Sequence, residues 1–476
     1  MKAAGINTVS VDEVGSRSIE SAFLLSVSVI SGFAMAIRWI PLILRGGSEW
    51  AIANNSDAYM QLALGLSKGC GFAAWLGDKC ASPEISRTPG YPLFLWMWPS
   101  WRVALFVQAV ISSGVCLLVG LFSFRRWGAG VGLLAAIVLA VDMPTIVYSN
   151  KIMTEVLFTA LFCSGFFAEL TALKRETLDR GFWLLVLLAS VLIACSILVR
   201  PIGEVLLLLV AVPPLVLRPE SWSRRAAVAI AVVSISVLAI VGWSQRNWQQ
   251  SGIRTFSTVG AFNLYNFRAA GVVAVSSGRG LFDVWRKWDQ LKTEDMSSRA
   301  IKIMLAHPLA TAYLTGRGFF YVSLIPDRGP LAKLLGTETA PPAKDPGSFR
   351  LFDTLGGIGR THSGNLASIY ADECDSSILM AILLAFQIVA ILFVWTGVFF
   401  AIRGLYLGSY DDGLCVIFLL SLAVCLLVLA SGPEATSRFR IPAMPFLSVV
   451  ASVGWIRAVG LGQRGWLYPL RPMRRR

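Results

Sequence analysis

The chain has 476 residues, 55% of them hydrophobic and 15% charged, with sixteen Trp and twenty-seven Phe. A mean hydropathy of +0.66 excludes a disordered chain, a collagen and an ordinary cytosolic enzyme, since soluble proteins are only about 45–50% apolar and about 25% charged. Lys and Arg outnumber Asp and Glu by 42 to 28, a net charge of +14, so the partners are anionic; acidic lipid headgroups at a membrane surface account for much of this.

Long apolar runs assign the chain to the bilayer, where about 20 apolar residues span a core about 30 Å thick and every backbone polar group must be satisfied internally. The runs predict an all-α bundle of about ten transmembrane helices (range 10–12), near 20–44, 101–124, 128–147, 152–171, 181–199, 202–218, 226–246, 377–402, 414–431 and 439–460. Residues 1–19 precede the first span, which reads as an anchor rather than a signal peptide. Pro213 and Pro214 predict a kink in the sixth. Arg125 and Arg126, Lys174, Arg175 and Arg180, and Arg218, Arg224 and Arg225 fall on one side of the bundle, and the basic tail 461–476 joins them in the cytoplasm. The other side carries the first loop, 45–100, and the longer stretch 247–376. Within it, 308–326 reads as an interfacial or re-entrant helix, because a further span would turn the basic tail outwards.

Polar groups pinned at membrane depth are functional candidates, because lipid penalises them. In chain order, Asp57 and Tyr59 stand at the head of an apolar run, SDAYMQLALGL. Asp57 reads as the N-cap of a surface helix and as a carboxylate that accepts a proton from a hydroxyl, two compatible roles, since capping would also hold the carboxylate in place. Arg87 and Tyr91 flank a stiff Pro-Gly-Tyr-Pro turn, and the guanidinium fork suits phosphate. Lys151 and Glu155 lie four apart, with Glu155 placed about one turn into the fourth span; a helix-end ion pair and a second active carboxylate both fit. Asp142 is a weaker competitor in the same connection. Arg200 and Glu204 flank a short connection and could pair with each other or meet a ligand. Arg438 and Arg440 open the last span on the outer side, against the positive-inside bias, so a lipid phosphate, Glu434 or a structural carboxylate must compensate them.

Eight Cys without a CxxC pair make no disulfide framework, although Cys70 and Cys80 share the first loop and a bridge between them stays open. His307 and His362 are too few for a histidine metal cluster or a hydrolase relay. Asp372, Glu373 and Asp375 around Cys374 read as a solvated acidic face, without cation-ligand spacing. The segment TETAPPAKDPGS at 337–348 reads as a surface loop. No phosphate-loop or dinucleotide motif is present, and the glycines of GAGVG at 128–132 fit close helix packing.

The segments SDAYMQLALGL (56–66), SRTPGYPLFL (86–95), YSNKIMTE (148–155), LVRPIGE (198–204) and TSRFRIPAMP (436–445) occur in an order that resembles the GT-C superfamily of polytopic glycosyltransferases. Within it, the chain is similar to the bacterial protein mannosyltransferases and the aminoarabinose transferase of lipid A. The resemblance implies a GT-C-type bundle in the bacterial inner membrane with its site facing the periplasm. It implies a polyprenyl-phosphate sugar as donor, an envelope lipid, glycan or protein as acceptor, and no nucleic acid. Asp57 matches the family's catalytic base and Glu155 its second acidic position. Arg87, Arg200, Arg438 and Arg440 match the donor-phosphate arginines, with Tyr59, Tyr91 and Lys151 beside them. VGAFNLYNF at 259–267 looks like the outer segment where Asn263 and Asn266 meet sugar. No nucleotide is required, and a divalent cation stays open. Asp57 stands alone where several relatives have an adjacent Asp-Glu pair. The rival from another class is a multi-pass transporter or flippase, which would normally show pseudo-repeated halves; no repeat is visible.

Overall fold

The computed structural model describes residues 11–44, 58–218, 220–326, 331, 378–408 and 412–460. Asp57, His362, the 337–348 segment, the acidic cluster near Cys374 and the basic tail lie outside these residues. Across them the chain is helical almost throughout. The elements are α1 (Val11–Leu44), α2 (Tyr59–Ser67), β1 (Ala73–Leu76), β2 (Lys79–Pro83), α3 (Gly90–Trp96), α4 (Trp101–Trp127), α5 (Ala129–Ala140), α6 (Met143–Ser149), α7 (Glu155–Leu173) and α8 (Arg180–Val199). There follow α9 (Gly203–Val210), α10 (Val212–Leu217), α11 (Trp222–Ser251), α12 (Val259–Phe262), α13 (Ala270–Ser277), α14 (Leu281–Trp285), α15 (Thr293–Ala306), α16 (Pro308–Leu324), α17 (Ile378–Tyr406), α18 (Gly413–Leu429) and α19 (Met444–Ala458).

Seven helices are long and apolar enough to cross a membrane, and the bent pair α5–α6 makes an eighth. Two shorter apolar helical stretches are Gly203–Leu217 and Gly413–Leu429. The first links Arg200 to Arg218, and the second starts beside Asp412, which pairs with Arg126 at 2.5 Å. This is a multi-pass membrane protein with helices at all ten predicted positions. α7 and the stretch Ser437–Ala458 form its centre, with 78% and 83% of their apolar windows buried, whereas α1, α11 and α17 are only 22% buried and form the outer wall.

Close packing at the centre is aromatic and glycine-based. Phe446 meets the rings of Phe162, Phe166 and Phe167 edge-on, and Phe122 stacks on Phe167 at 3.9 Å. A Cβ on Gly454 would fall 2.0 Å from the Gly397 carbonyl oxygen, and one on Gly132 2.7 Å from that of Gly120. These backbones approach so closely that no side chain fits between them. Gly132 belongs to the GAGVG run, and packing is its structural role.

The third span is not the continuous helix expected from its hydropathy. It breaks after Ala140 and bends by 55° into α6. The cause is local: Pro144 has no N–H to give the Ala140 carbonyl four residues back. Arg38, fully buried in α1, supplies the missing donors. Its guanidinium bonds to the carbonyls of Ala140 (3.0 Å), Leu139 (3.3 Å) and Ala34 (2.9 Å), and to Ser112 Oγ (2.9 Å). Asp142 starts α6 by accepting from Thr145 N at 3.1 Å, so it is a helix cap. The sixth span breaks at Ala211 ahead of Pro213, as the prolines predict.

At one end of the bundle the arginines of the short loops close the helix ends. Arg126 donates to Leu170 O, and Arg218 pairs with Glu220 and donates to Arg175 O at 2.6 Å. At the opposite end, the first loop departs from pure helix. β1 and β2 form a hairpin whose turn residues Gly77 and Asp78 both have positive φ, 53° and 63°, as a two-residue hairpin turn demands. The Cys70–Cys80 disulfide ties β2, close to the turn, to the segment ahead of β1. α16 is not among the spanning helices. Its Ser323 carbonyl accepts from Trp395 Nε1 at 3.2 Å and Phe319 meets the same indole edge-on, so its C-terminal turn lies along the middle of α17 rather than flat on its rim.

Replacing Arg38 by Leu leaves the Ala140 carbonyl without its donor and Asp142 without a nearby cation. We expect a loss of about 3–5 kcal/mol, read as a lower thermal midpoint in detergent, with Arg38→Lys intermediate because it keeps the charge but not the fork.

Candidate functional site

The end of the bundle opposite the loop arginines gathers most of the polar residues singled out in the sequence. Glu155 is the first residue of α7, not a turn inside it. Its carboxylate therefore sits where the helix dipole favours negative charge, and it is fully buried. Arg438 Nε donates to Glu155 Oε1 at 2.6 Å, and Arg200 Nη1 lies 2.9 Å from the same oxygen. The exposures of the three side chains are 0% for Glu155, 16% for Arg200 and 26% for Arg438. Glu155 Oε2 is buried with no hydrogen-bond partner. Both guanidiniums also lie over the Phe439 ring, at 5.5 Å and 5.0 Å from its centre.

Two expected pairings are replaced. Arg200 pairs with Glu155 rather than Glu204, which is exposed; the turn at Pro201 and Ile202 starts a new helix and carries Glu204 away. Lys151 does not pair with Glu155 four residues on, because 150–154 is an irregular connection and not a helical turn. Its ammonium instead lies 4.7 Å from the Tyr148 ring centre.

On the first-loop side, Arg87 lies over the Tyr59 ring at 5.8 Å, and Tyr59 meets Tyr91 edge-on at 5.1 Å. Tyr91 is fully buried and its hydroxyl donates to Gln108 Oε1 at 2.9 Å. Burial, with the Glu155 charge behind it, holds this phenol well above the ordinary tyrosine range, so it stays a donor. The backbone N–H groups of Ser86 and Arg87 donate to Glu84 Oε1 at 2.5 Å and 3.2 Å. α11 straps the same segment: Arg246 donates to Glu84 O at 2.5 Å and to Phe72 O at 3.1 Å. Ser257 donates to Ser86 O, and Thr258 Oγ1 to Ser86 Oγ at 2.7 Å. The helix after Asp57 starts with Ala58 as its cap residue, not Asp57, and Ala58 holds φ 57°, a left-handed conformation that costs a non-glycine residue about 1–2 kcal/mol.

The other nominated residues stand apart. Arg440 is buried and donates to the carbonyls of Val322 (3.2 Å) and Ser323 (3.0 Å) at the end of α16. It lies two residues after Arg438 in a 3₁₀ turn, Ser437–Ala443, where that spacing swings side chains to different faces. Asn263 and Asn266 belong to a π-helical turn, Asn263–Ala269. Asn266 Nδ2 donates to Phe262 O at 3.3 Å, and its carbonyl accepts from Trp285 Nε1 at 2.6 Å. Neither asparagine contacts the Glu155 cluster among the described residues. Arg268 from this turn donates to Ser431 O and Val428 O, tying down the loop that leads to Arg438. In that loop, burial pushes the Glu434 carboxyl above its usual range, while Arg268 acts the other way. The described residues hold no group of three or more His, Cys, Asp or Glu side chains placed to share a metal ion. Gln108, Phe439 and Tyr148 were not singled out from the sequence, although a Gln inside a transmembrane run, at position 108, is itself a signal.

No family model matches the chain, and no curated protein matches it. Among solved structures it is similar to the oligosaccharyltransferase of Archaeoglobus fulgidus in its apo form, with a TM-score of 0.48 and 12% identity over 93% of this chain and 52% of that one. The chain thus spans about half the length of that protein.

Two measurements follow from the charges. Glu155→Ala leaves two guanidiniums facing an empty oxygen position, and a loss of about 3–5 kcal/mol is expected, partly restored by adding a small anion; an unchanged thermal midpoint would refute the pairing. The Glu434 carboxyl is raised in the folded state, so its contribution to stability is complete below the unfolded pKa of about 4.3 and is lost as pH rises through the folded value. Glu434→Gln should flatten the thermal midpoint across that window.

Proposed function

We propose that the chain is a GT-C-type membrane glycosyltransferase. It transfers a sugar from a polyprenyl-phosphate donor to an acceptor hydroxyl, with inversion, at the periplasmic face of a bacterial inner membrane. One observation carries this: two guanidiniums, Arg200 and Arg438, converge on a single buried carboxylate oxygen of Glu155. Arg87 and Lys151 belong to the same end of the bundle, bound to it through Tyr59, Tyr91 and Gln108. A cation-rich pocket at a membrane interface suits a lipid-linked phosphate, which arrives within the bilayer and presents its charge at headgroup level.

The orientation rests on two independent features. Arg126, Lys174, Arg175, Arg180, Arg218, Arg224 and Arg225 gather at the opposite end, which the positive-inside bias assigns to the cytoplasm. The Cys70–Cys80 disulfide is at the site end, which suits an oxidising compartment.

In the reaction, Asp57 takes the proton of the acceptor hydroxyl as its oxygen attacks the anomeric carbon from the face opposite the phosphate. The new glycosidic bond forms while the bond to the phosphate oxygen breaks, and the electron pair leaves with the polyprenyl phosphate. Arg87, Arg200 and Arg438 stabilise the charge that develops there, a contribution of about 10²–10³ in rate for each well-placed donor. Glu155 holds Arg200 and Arg438 in place. Tyr91, whose hydroxyl donates to Gln108, and Arg440, whose Nη1 donates to the Val322 and Ser323 carbonyls, serve as supports.

The test is label transfer by purified protein in nanodiscs, with radiolabelled polyprenyl-phosphate sugars and an envelope extract as acceptor. Asp57→Asn should lower transfer about 10²–10⁴-fold while donor binding persists. Undiminished transfer in that variant would remove Asp57 as the base, and absence of binding to any donor would favour the transporter.

A further inference from the structure

Gln108 lies two turns into α4 and is completely buried. A primary amide in that position requires a full set of partners, because nothing in the bilayer supplies them. Its Oε1 accepts from Tyr91 at 2.9 Å. Its Nε2 faces three backbone carbonyls, those of Lys151 (2.8 Å), Ser149 (3.1 Å) and Tyr148 (3.3 Å). The carbonyls of Tyr148 and Ser149 end α6 and that of Lys151 lies in the irregular connection to α7; this stretch is buried along its whole length, and the chain that follows offers no regular helical donors.

One side chain therefore joins two segments of the chain, beside a direct bond from Tyr91 to the Met153 backbone. On one side stand Tyr91, Tyr59 and Arg87. On the other stand Lys151 and, four residues later, Glu155 with its two arginines. The chemistry of the amide matters: a carboxylate would turn lone pairs towards three carbonyls, and an apolar side chain would leave those of Tyr148 and Lys151 with only their backbone donors, Lys151 N and Met153 N, and would take the amide from Ser149.

We propose that Gln108 is a positioning residue, whose amide holds the Arg87–Tyr59–Tyr91 side of the pocket in register with the Lys151–Glu155 side. Its catalytic consequence rests on the transferase function proposed above; its structural consequence does not. Misplacement of the charged groups by about 1 Å would lower turnover by up to about 10²-fold, with less effect on donor affinity, because the cations themselves remain.

The experiment compares Gln108→Leu, Gln108→Asn and Tyr91→Phe with the unmodified protein in nanodiscs. Tyr91→Phe removes one O–H and keeps the ring, so it folds even where Gln108→Leu does not. Hydrogen exchange is followed over 84–92 and 146–156, with kcat and donor KM for transfer. The expected result in Tyr91→Phe and Gln108→Asn is faster exchange in both segments together, unchanged exchange elsewhere in α4, and kcat reduced about tenfold or more at similar KM. Faster exchange spread along α4, with kcat per folded molecule unchanged, would mark a purely structural residue and overturn the proposal. So would faster exchange confined to one segment, or none. If the unmodified protein transfers no sugar, the transferase reading fails, and the exchange pattern alone still decides whether Gln108 couples the two segments.

Discussion

A carboxylate buried at the start of a membrane span is tolerable only when cations reach it, and this constraint fixes the centre of the protein. Glu155 begins α7, Arg200 ends α8, and Arg438 lies ahead of α19. Removing Glu155 leaves two guanidiniums without their counter-charge, which costs more than a pair contributes, whereas removing either arginine leaves Glu155 paired with the other. The three chain segments are far apart in sequence, so the arrangement forms only when the last span has docked against the fourth. The charges thus specify which helix ends meet, while the apolar faces supply most of the contact area.

The same rule operates twice more on backbone groups. Arg38 answers the carbonyls released where Pro144 breaks the third span, and Gln108 answers those of the connection that follows. Between them they hold α6, a short buried helix inclined to its neighbours. The result is an irregular backbone at membrane depth whose carbonyls at Leu139, Ala140, Tyr148, Ser149 and Lys151 meet side-chain donors, which lipid-exposed chain could not maintain. It places Tyr148, Lys151 and Glu155 at the end of the bundle where Arg87 arrives from the first loop.

The spans were legible in the sequence because hydropathy over twenty residues is a strong signal, and all ten positions are helical. The broken third span was not, although Asp142 and Pro144 mark it, because the apolar run continues through the bend and hides it. Pairing was legible only as a set of candidates. Glu155 and Arg200 were both found, but the local rule of four-residue spacing gave each the wrong partner, Lys151 and Glu204. In a membrane bundle the partner of a buried charge comes from another helix, and sequence spacing carries no record of that contact. Arg438 and Arg440 show the converse: one motif, two residues apart, sends one guanidinium to Glu155 and the other to the carbonyls of α16. Cys70 and Cys80 left their bridge open until the hairpin turn at Gly77 and Asp78 brought them together.

Electrostatic economy explains why two arginines share one oxygen. A single arginine opposite Glu155 would make a neutral pair with little affinity for another anion. Two on Oε1, with Oε2 left without a partner, keep the guanidiniums oriented while the group of three retains a positive charge. Orientation and residual charge are separate requirements, and a buried carboxylate flanked by two fixed cations meets both. Stacking on Phe439 from both guanidiniums adds a rigid surface that does not compete for their N–H donors. An anion entering this end therefore meets donors that are already aligned, and little of its binding energy is lost in ordering them.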